Sequence, residues 1–134
     1  MTAPNLSKSG RILVADDDPV TLRLVTAVVQ KEGYTVVPAR DGREARELLQ
    51  RDADFLAAIF DVMMPHIQGT ELVRYMRSEK RLMRIPVIMM TAEQDPKVST
   101  ESFAAGAVVF LPKPFTTSQM QAMLRMLIGK TRGA

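Results

Sequence analysis

Asp16, Asp17, Asp61, Thr91 and Lys113 all follow directly on the carboxyl ends of short apolar runs. Arg11-Ile12-Leu13-Val14-Ala15 leads into Asp16 and Asp17, and Leu56-Ala57-Ala58-Ile59-Phe60 leads into Asp61. Val87-Ile88-Met89-Met90 leads into Thr91, and Val108-Val109-Phe110-Leu111-Pro112 into Lys113. As neighbouring parallel strands, these runs would gather carboxylates, one hydroxyl and one ammonium in a single crevice. Crowded carboxylates repel one another and favour protonation unless a cation sits among them. With no His or Cys in these motifs the ligands are oxygens, which suits Mg²⁺, with Mn²⁺ as the alternative, rather than Zn²⁺. A carboxylate can attack a phosphoryl phosphorus and carry it as an aspartyl phosphate. Asp61, at the end of the most central candidate strand, is the expected acceptor. Phosphoryl transfer needs in-line positioning and neutralised equatorial oxygens, which Lys113 as a point charge and the Thr91 hydroxyl can help supply.

Five apolar runs of strand length, beginning near Ile12, Tyr34, Leu56, Ile85 and Ala107, must position these groups. Their separation of roughly 20–30 residues is that of repeated βα units. The first, third and fourth runs are almost wholly apolar, as central strands covered on both faces are. Asp18-Pro19 starts a helix with a capping side chain and a preset φ, and Gly33 ends it. Leu22, Val25, Val28 and Val29 recur along it at helical spacing. A second helix follows Asp41-Gly42 with Ala45, Leu48 and Leu49 inward, and a third opens at Gly69 or Thr70 with Leu72, Val73 and Met76 on one face. A fourth is predicted from about Pro96 to Ala105. The fifth spans Thr116 to Ile128, where Met120, Met123, Leu124 and Leu127 form a core stripe. Alternation of this kind gives an α/β fold, a doubly wound five-stranded parallel sheet with five helices. Of the orders that suit five units, the flavodoxin-like 2-1-3-4-5 places strands 1 and 3 side by side at the switch point, and with them Asp16, Asp17 and Asp61.

The chain has 134 residues, 46% hydrophobic and 25% charged, enough for one domain with a real core. Its net charge of +3 is spread without a basic block. Arg74, Arg77, Lys80, Arg81 and Arg84 read as a solvated face or part of a partner surface, because no aromatic residues are interleaved for base stacking. Direct nucleic-acid binding is therefore not expected. The absence of cysteine excludes disulfides, thiolate zinc sites and cysteine nucleophiles. No window approaches the roughly 20 apolar residues that cross a bilayer, and MTAPNLSKSG has no signal-peptide core. The expectation is a cytoplasmic protein without membrane insertion.

ILVADDDP, IFDVMMPHIQG, VIMMTA and FLPKPF, in that order, resemble the motifs of two-component response-regulator receiver domains. The resemblance covers residues 10 to 128, with 1–9 and 129–134 as tails. It implies that Asp61 accepts phosphate from a phosphohistidine on a sensor histidine kinase or histidine phosphotransfer protein. It implies that Asp17, Asp61 and the backbone carbonyl of Met63 bind Mg²⁺ directly, while Asp16 orients metal-bound water. Thr91 and Lys113 match the phosphate-contacting hydroxyl and lysine, and Lys113-Pro114 the family's usual cis bond. Phe110 matches the aromatic residue that rotates when Thr91 is recruited. The surface so changed would be the fourth predicted helix, the fifth strand and the fifth helix, the family's usual place for homodimers or for docking a downstream protein target.

Met63 and Glu93, two residues beyond Asp61 and Thr91, flank the expected path of hydrolytic water. His66, the only histidine, is expected on a surface loop rather than as a phosphorelay donor. The protein is then a signalling phosphoacceptor that assists only its own phosphorylation and dephosphorylation. A haloacid-dehalogenase-like phosphatase would need a second Asp where Met63 stands. The intact acidic pair, Thr91 and Lys113 argue against a non-phosphorylated pseudo-receiver interaction module. An FMN protein would want a phosphate-binding loop where the DDDP turn would repel one. Only GKTRGA follows Ile128, so a stand-alone, chemotaxis-regulator-like receiver is expected, the alternative being a fragment of a larger regulator or hybrid kinase.

Overall fold

The computed structural model describes residues 10–92 and 109–129. Five parallel strands form one sheet: β1 (Arg11–Ala15), β2 (Thr35–Ala39), β3 (Ala57–Asp61), β4 (Val87–Thr91) and β5 (Val109–Pro112), in the order β2-β1-β3-β4-β5. The helices are α1 (Pro19–Lys31), α2 (Gly42–Arg51), α3 (Gly69–Arg77) and α4 (Thr117–Leu124). The helix expected over Pro96–Ala105, like Glu93, lies outside the described residues.

The apolar runs form central strands because both faces of the sheet are covered. In β1, Leu13 and Ala15 join the core under α2 and α3, while Ile12 and Val14 join the core under α1 and α4. β3 and β4 divide the same way: Phe60 and Met89 face the first core, Ile59 and Ile88 the second. This two-residue period holds although every residue of β3 and β4 is buried.

The helix ends follow local chemistry. The Asp18 side chain accepts from the Val20 N–H with Pro19 in the first turn, and the Asp41 side chain accepts from the Glu44 N–H. Thr116 and Gln119 form a reciprocal capping box at α4. The last helix departs from expectation. It is α-helical only to Leu124 and continues through Arg125–Gly129 in wider, π-type turns. Met120, Leu124 and Ile128 are all buried on the second core, while Met123 and Leu127 are only partly covered. In an α-helix positions four apart drift around the axis, and the wider turn keeps Leu124 and Ile128 on one line.

Arg77 corrects the reading of the basic residues as a solvated face. It is half-buried, and its guanidinium donates to the carbonyls of Met83 (2.9 Å) and Ile85 (3.0 Å), fixing the turn that enters β4. Burial holds its pKa below the usual arginine value. Arg81 is also engaged, reaching the Gln50 carbonyl and the Tyr75 hydroxyl at 3.4 Å each. Arg74, Lys80 and Arg84 are exposed as expected.

Candidate metal and phosphoryl site

Strand register gathers the chemistry. Ala15 pairs with Phe60, so Asp16 and Asp61 leave adjacent strands at the same level. Asp61 pairs with Met90, and Thr91 with Pro112, which puts Thr91 and Lys113 on the same rim. One carboxylate oxygen from each of Asp16, Asp17 and Asp61 lies within 4.8 Å of the others. Lys113 Nζ is 2.9 Å from Asp16 Oδ2 and 3.3 Å from Asp61 Oδ1. Four of the five expected groups thus meet directly, and the fifth, Thr91, is fully buried at the end of β4 beside them.

The three acids are not equivalent. Asp16 is fully buried, and both its oxygens are engaged: Oδ1 accepts from the Asp18 N–H at 2.9 Å and Oδ2 from Lys113. Asp17 is exposed, so its carboxylate is open to solvent and to an incoming ligand. Asp61 is almost covered at 6% exposure. Burial, and then the charge of Asp16, push its pKa up to about 6 against the opposing pull of Lys113. The Lys113 ammonium is itself pulled down by burial, but its bond to Asp16 and the charge of Asp61 outweigh that and hold its pKa above the ordinary value.

These residues fit a hard divalent cation. All the donors are oxygens, one of them is solvent-open, and burial and the charge of Asp16 raise the pKa of the Asp61 carboxyl, which a cation would reverse. One lysine against three carboxylates leaves the crevice net negative. That deficit is what a cation removes.

The loop after β3 is held from several sides. Val62 and Met64 are buried while Met63 between them is 54% exposed. The Val62 N–H donates to the Met90 carbonyl at 2.8 Å, and the Gly69 N–H to the Val62 carbonyl at 2.9 Å. α3 opens so close to β3 that a Cβ on Gly69 would lie 2.5 Å from the Asp61 carbonyl oxygen. His66 is exposed, as expected, with a left-handed φ of 72°, and Arg43 approaches its Nδ1 at 3.0 Å. Phe110 is half-buried against the first core, opposite Met89 on β4. The Lys113-Pro114 peptide is cis.

The sequence did not reveal that Asp16 and Asp61 share Lys113. It also hid the closeness of the loop to α2, since Gly42 reads in sequence only as part of a helix start. Neither has a local signal, because each is a contact between residues far apart in the chain.

The family model for the response regulator receiver domain matches residues 12–125. The chain is 36% identical over 121 residues to the response regulator MprA of Mycolicibacterium vanbaalenii, spanning 90% of this chain and 51% of that protein. It is 34% identical to the DNA-binding dual master transcriptional regulator RpaA of Synechocystis, over 90% of this chain and 50% of that one. The chain thus spans about half the length of these relatives. The chemotaxis response regulator CheY4 of Vibrio cholerae superposes with a TM-score of 0.83 at 32% identity, covering 90% of this chain and 99% of that one. The receiver domain of the sensor histidine kinase PA1611 of Pseudomonas aeruginosa, solved with a magnesium ion coordinated in its active-site cleft, gives 0.81 at 28% identity over 90% and 98% of the two chains.

Proposed function

Since the chain belongs to the response regulator receiver domain family, we propose that Asp61 is its phosphoacceptor, charged from a phosphohistidine in a Mg²⁺-dependent reaction. The observation that carries this is the convergence of Asp16, Asp17 and Asp61 within 4.8 Å, with Lys113 Nζ 3.3 Å from the acceptor. Asp17 and Asp61, with the Met63 carbonyl, would hold the ion, and Asp16 would orient its water. When bound, it supplies the positive charge that keeps Asp61 ionised and neutralises phosphoryl oxygens. An Asp61 carboxylate oxygen attacks phosphorus in line. The P–N bond to the donor imidazole breaks, its electron pair stays on nitrogen, and the acyl phosphate forms. Lys113, already beside Asp61, takes one equatorial oxygen.

Thr91 is fully buried before the reaction. Its hydroxyl must turn toward the new phosphoryl group, drawing the start of the following loop inward. Phe110, packed on the strand beside Thr91, would then move into the space released. The product is an altered surface around β5 and α4 for a downstream protein or a second copy. The partner delivering the phosphoryl group is a sensor histidine kinase or a histidine phosphotransfer protein, consistent with the receiver of a sensor kinase among the structural relatives. Among the described residues no helix is long and apolar enough to cross a membrane, which accords with work in the cytoplasm.

Two settings suit this activity. One is a receiver acting by itself and the other a receiver within a larger regulator or hybrid kinase; the chain covers 99% of CheY4 and 51% of MprA. Acetyl phosphate and Mg²⁺ followed by intact-mass analysis test the acceptor in either setting. One added phosphoryl group in the parent, lost in Asp61→Asn and on chelation, is the expected result. A gain that persists in Asp61→Asn overturns the assignment.

A further inference from the structure

The amino end of α2 meets the loop that follows Asp61. The helix start is fixed: the Asp41 side chain accepts from the Glu44 N–H at 2.9 Å, and Glu44 Oε1 accepts from the Arg40 N–H at 2.6 Å. On this fixed end Gly42 has no side chain, and the loop uses the space. A Cβ built on Gly42 would collide with the Ile67 carbonyl oxygen and lie 2.6 Å from its carbonyl carbon. The next residue, Arg43, carries its guanidinium to the ring of His66, whose φ of 72° is unusual for a residue with a side chain. Two consecutive residues of α2 therefore meet two consecutive residues of the loop. The other restraints on that loop come from the core and from α3: Val62 and Met64 are buried, and Gly69 sits against the Asp61 carbonyl. Met63, Pro65 and His66 are exposed even so, and α2 meets the loop at His66 and at the half-buried Ile67.

We propose that Gly42, assisted by Arg43, is a positioning residue for phosphoryl transfer: α2 is the abutment that holds the loop where the Met63 carbonyl and Asp61 can act together. This rests on the acceptor and metal assignments above. Displacement of the loop by a methyl group at Gly42 would move the Met63 carbonyl relative to Asp61, which the sheet holds in place. Metal affinity, not the rate of the chemical step, is the quantity that would suffer.

Titration of Gly42→Ala with MgCl₂, followed by amide NMR shifts of Met63 and Gly69 and paired with acetyl phosphate kinetics, tests this. The expected result is a Mg²⁺ dissociation constant raised at least fivefold, with slow phosphorylation at low Mg²⁺ and recovery toward the parent rate at saturation. Leu48→Ala thins the packing of α2 on the first core but leaves the Gly42 and Arg43 contacts in place, and it should lower the melting temperature yet leave the dissociation constant within twofold. Arg43→Ala, an exposed change that does not threaten folding, should raise it two- to threefold and decides the matter if Gly42→Ala does not fold. Unchanged affinity in the folded variants, or an equal loss in Leu48→Ala, overturns the abutment alone. A parent indifferent to Mg²⁺ overturns both the abutment and the metal assignment beneath it.

Discussion

Replacing Asp61 by Asn should stabilise the metal-free protein, and by an amount that depends on pH. In the folded chain the Asp61 carboxyl has a pKa of about 6, against an ordinary value of 3.8. Between those values the folded state binds more protons than the unfolded state, so stability falls as pH rises from 3.8 toward 6 and is level beyond. A difference of about two pKa units at 1.36 kcal/mol each makes the ionised acceptor cost about 3 kcal/mol at neutral pH. Asn keeps the shape without the charge and removes that cost. At roughly 4 °C per kcal/mol for a domain of this size, the melting temperature should rise by about 10 °C at pH 8 in EDTA. The gain should shrink to near zero below pH 4, where the parent carboxyl is protonated in both states. Saturating Mg²⁺ should also narrow it, because only the parent gains the binding energy of the ion. Differential scanning calorimetry across pH 3–8, with and without MgCl₂, reads all three effects. A gain of the same size at every pH would refute the electrostatic reasoning, since it would locate the benefit in packing. No gain at pH 8 would refute the burial and repulsion assigned to Asp61.

Three other outcomes follow from the geometry. Lys113→Ala leaves the fully buried Asp16 carboxylate without its cation and should cost about 3 kcal/mol in denaturant melts, with phosphorylation by acetyl phosphate slowed at least tenfold. Met63→Asn, at an exposed position two residues beyond the acceptor, should leave stability within about 0.5 kcal/mol and speed spontaneous loss of the phosphoryl group severalfold, measured as decay of the phosphorylated mass. Arg77→Ala removes two donors from the carbonyls of Met83 and Ile85 and should lower stability by about 1–3 kcal/mol while leaving Mg²⁺ affinity unchanged.

The fold was legible wherever one physical demand dominated the local sequence. β1, β3 and β4 are covered on both faces, so they had to be almost wholly apolar, and they read as strands directly. Polar groups at their carboxyl ends break the apolar pattern, which is why Asp16, Asp61 and Thr91 stood out, as did Lys113 at the end of β5. α1 was legible through Asp18, Pro19 and Gly33, each of which acts on its own neighbours.

What stayed hidden depends on distant partners. Arg77 reads as one surface arginine among several, and only the turn before β4 gives it two carbonyls to hold. The widening of the last helix beyond Leu124 has no local signal, since Met120, Leu124 and Ile128 recur at ordinary helical spacing. The inequality of the three acids came from burial: Asp16 is enclosed and engaged, Asp17 open, and Asp61 covered enough to raise its pKa. Residue type alone could not rank them.

The most direct measurement is a crystal structure of the protein with Mg²⁺ and beryllofluoride, which mimics a phosphoryl group. The beryllium centre should sit on an Asp61 carboxylate oxygen, with Lys113 and Thr91 against its fluorides and the ion shared by Asp17, Asp61 and the Met63 carbonyl. Beryllofluoride attached elsewhere, or bound to Asp61 with Lys113 turned away from its fluorides, would overturn the assignment.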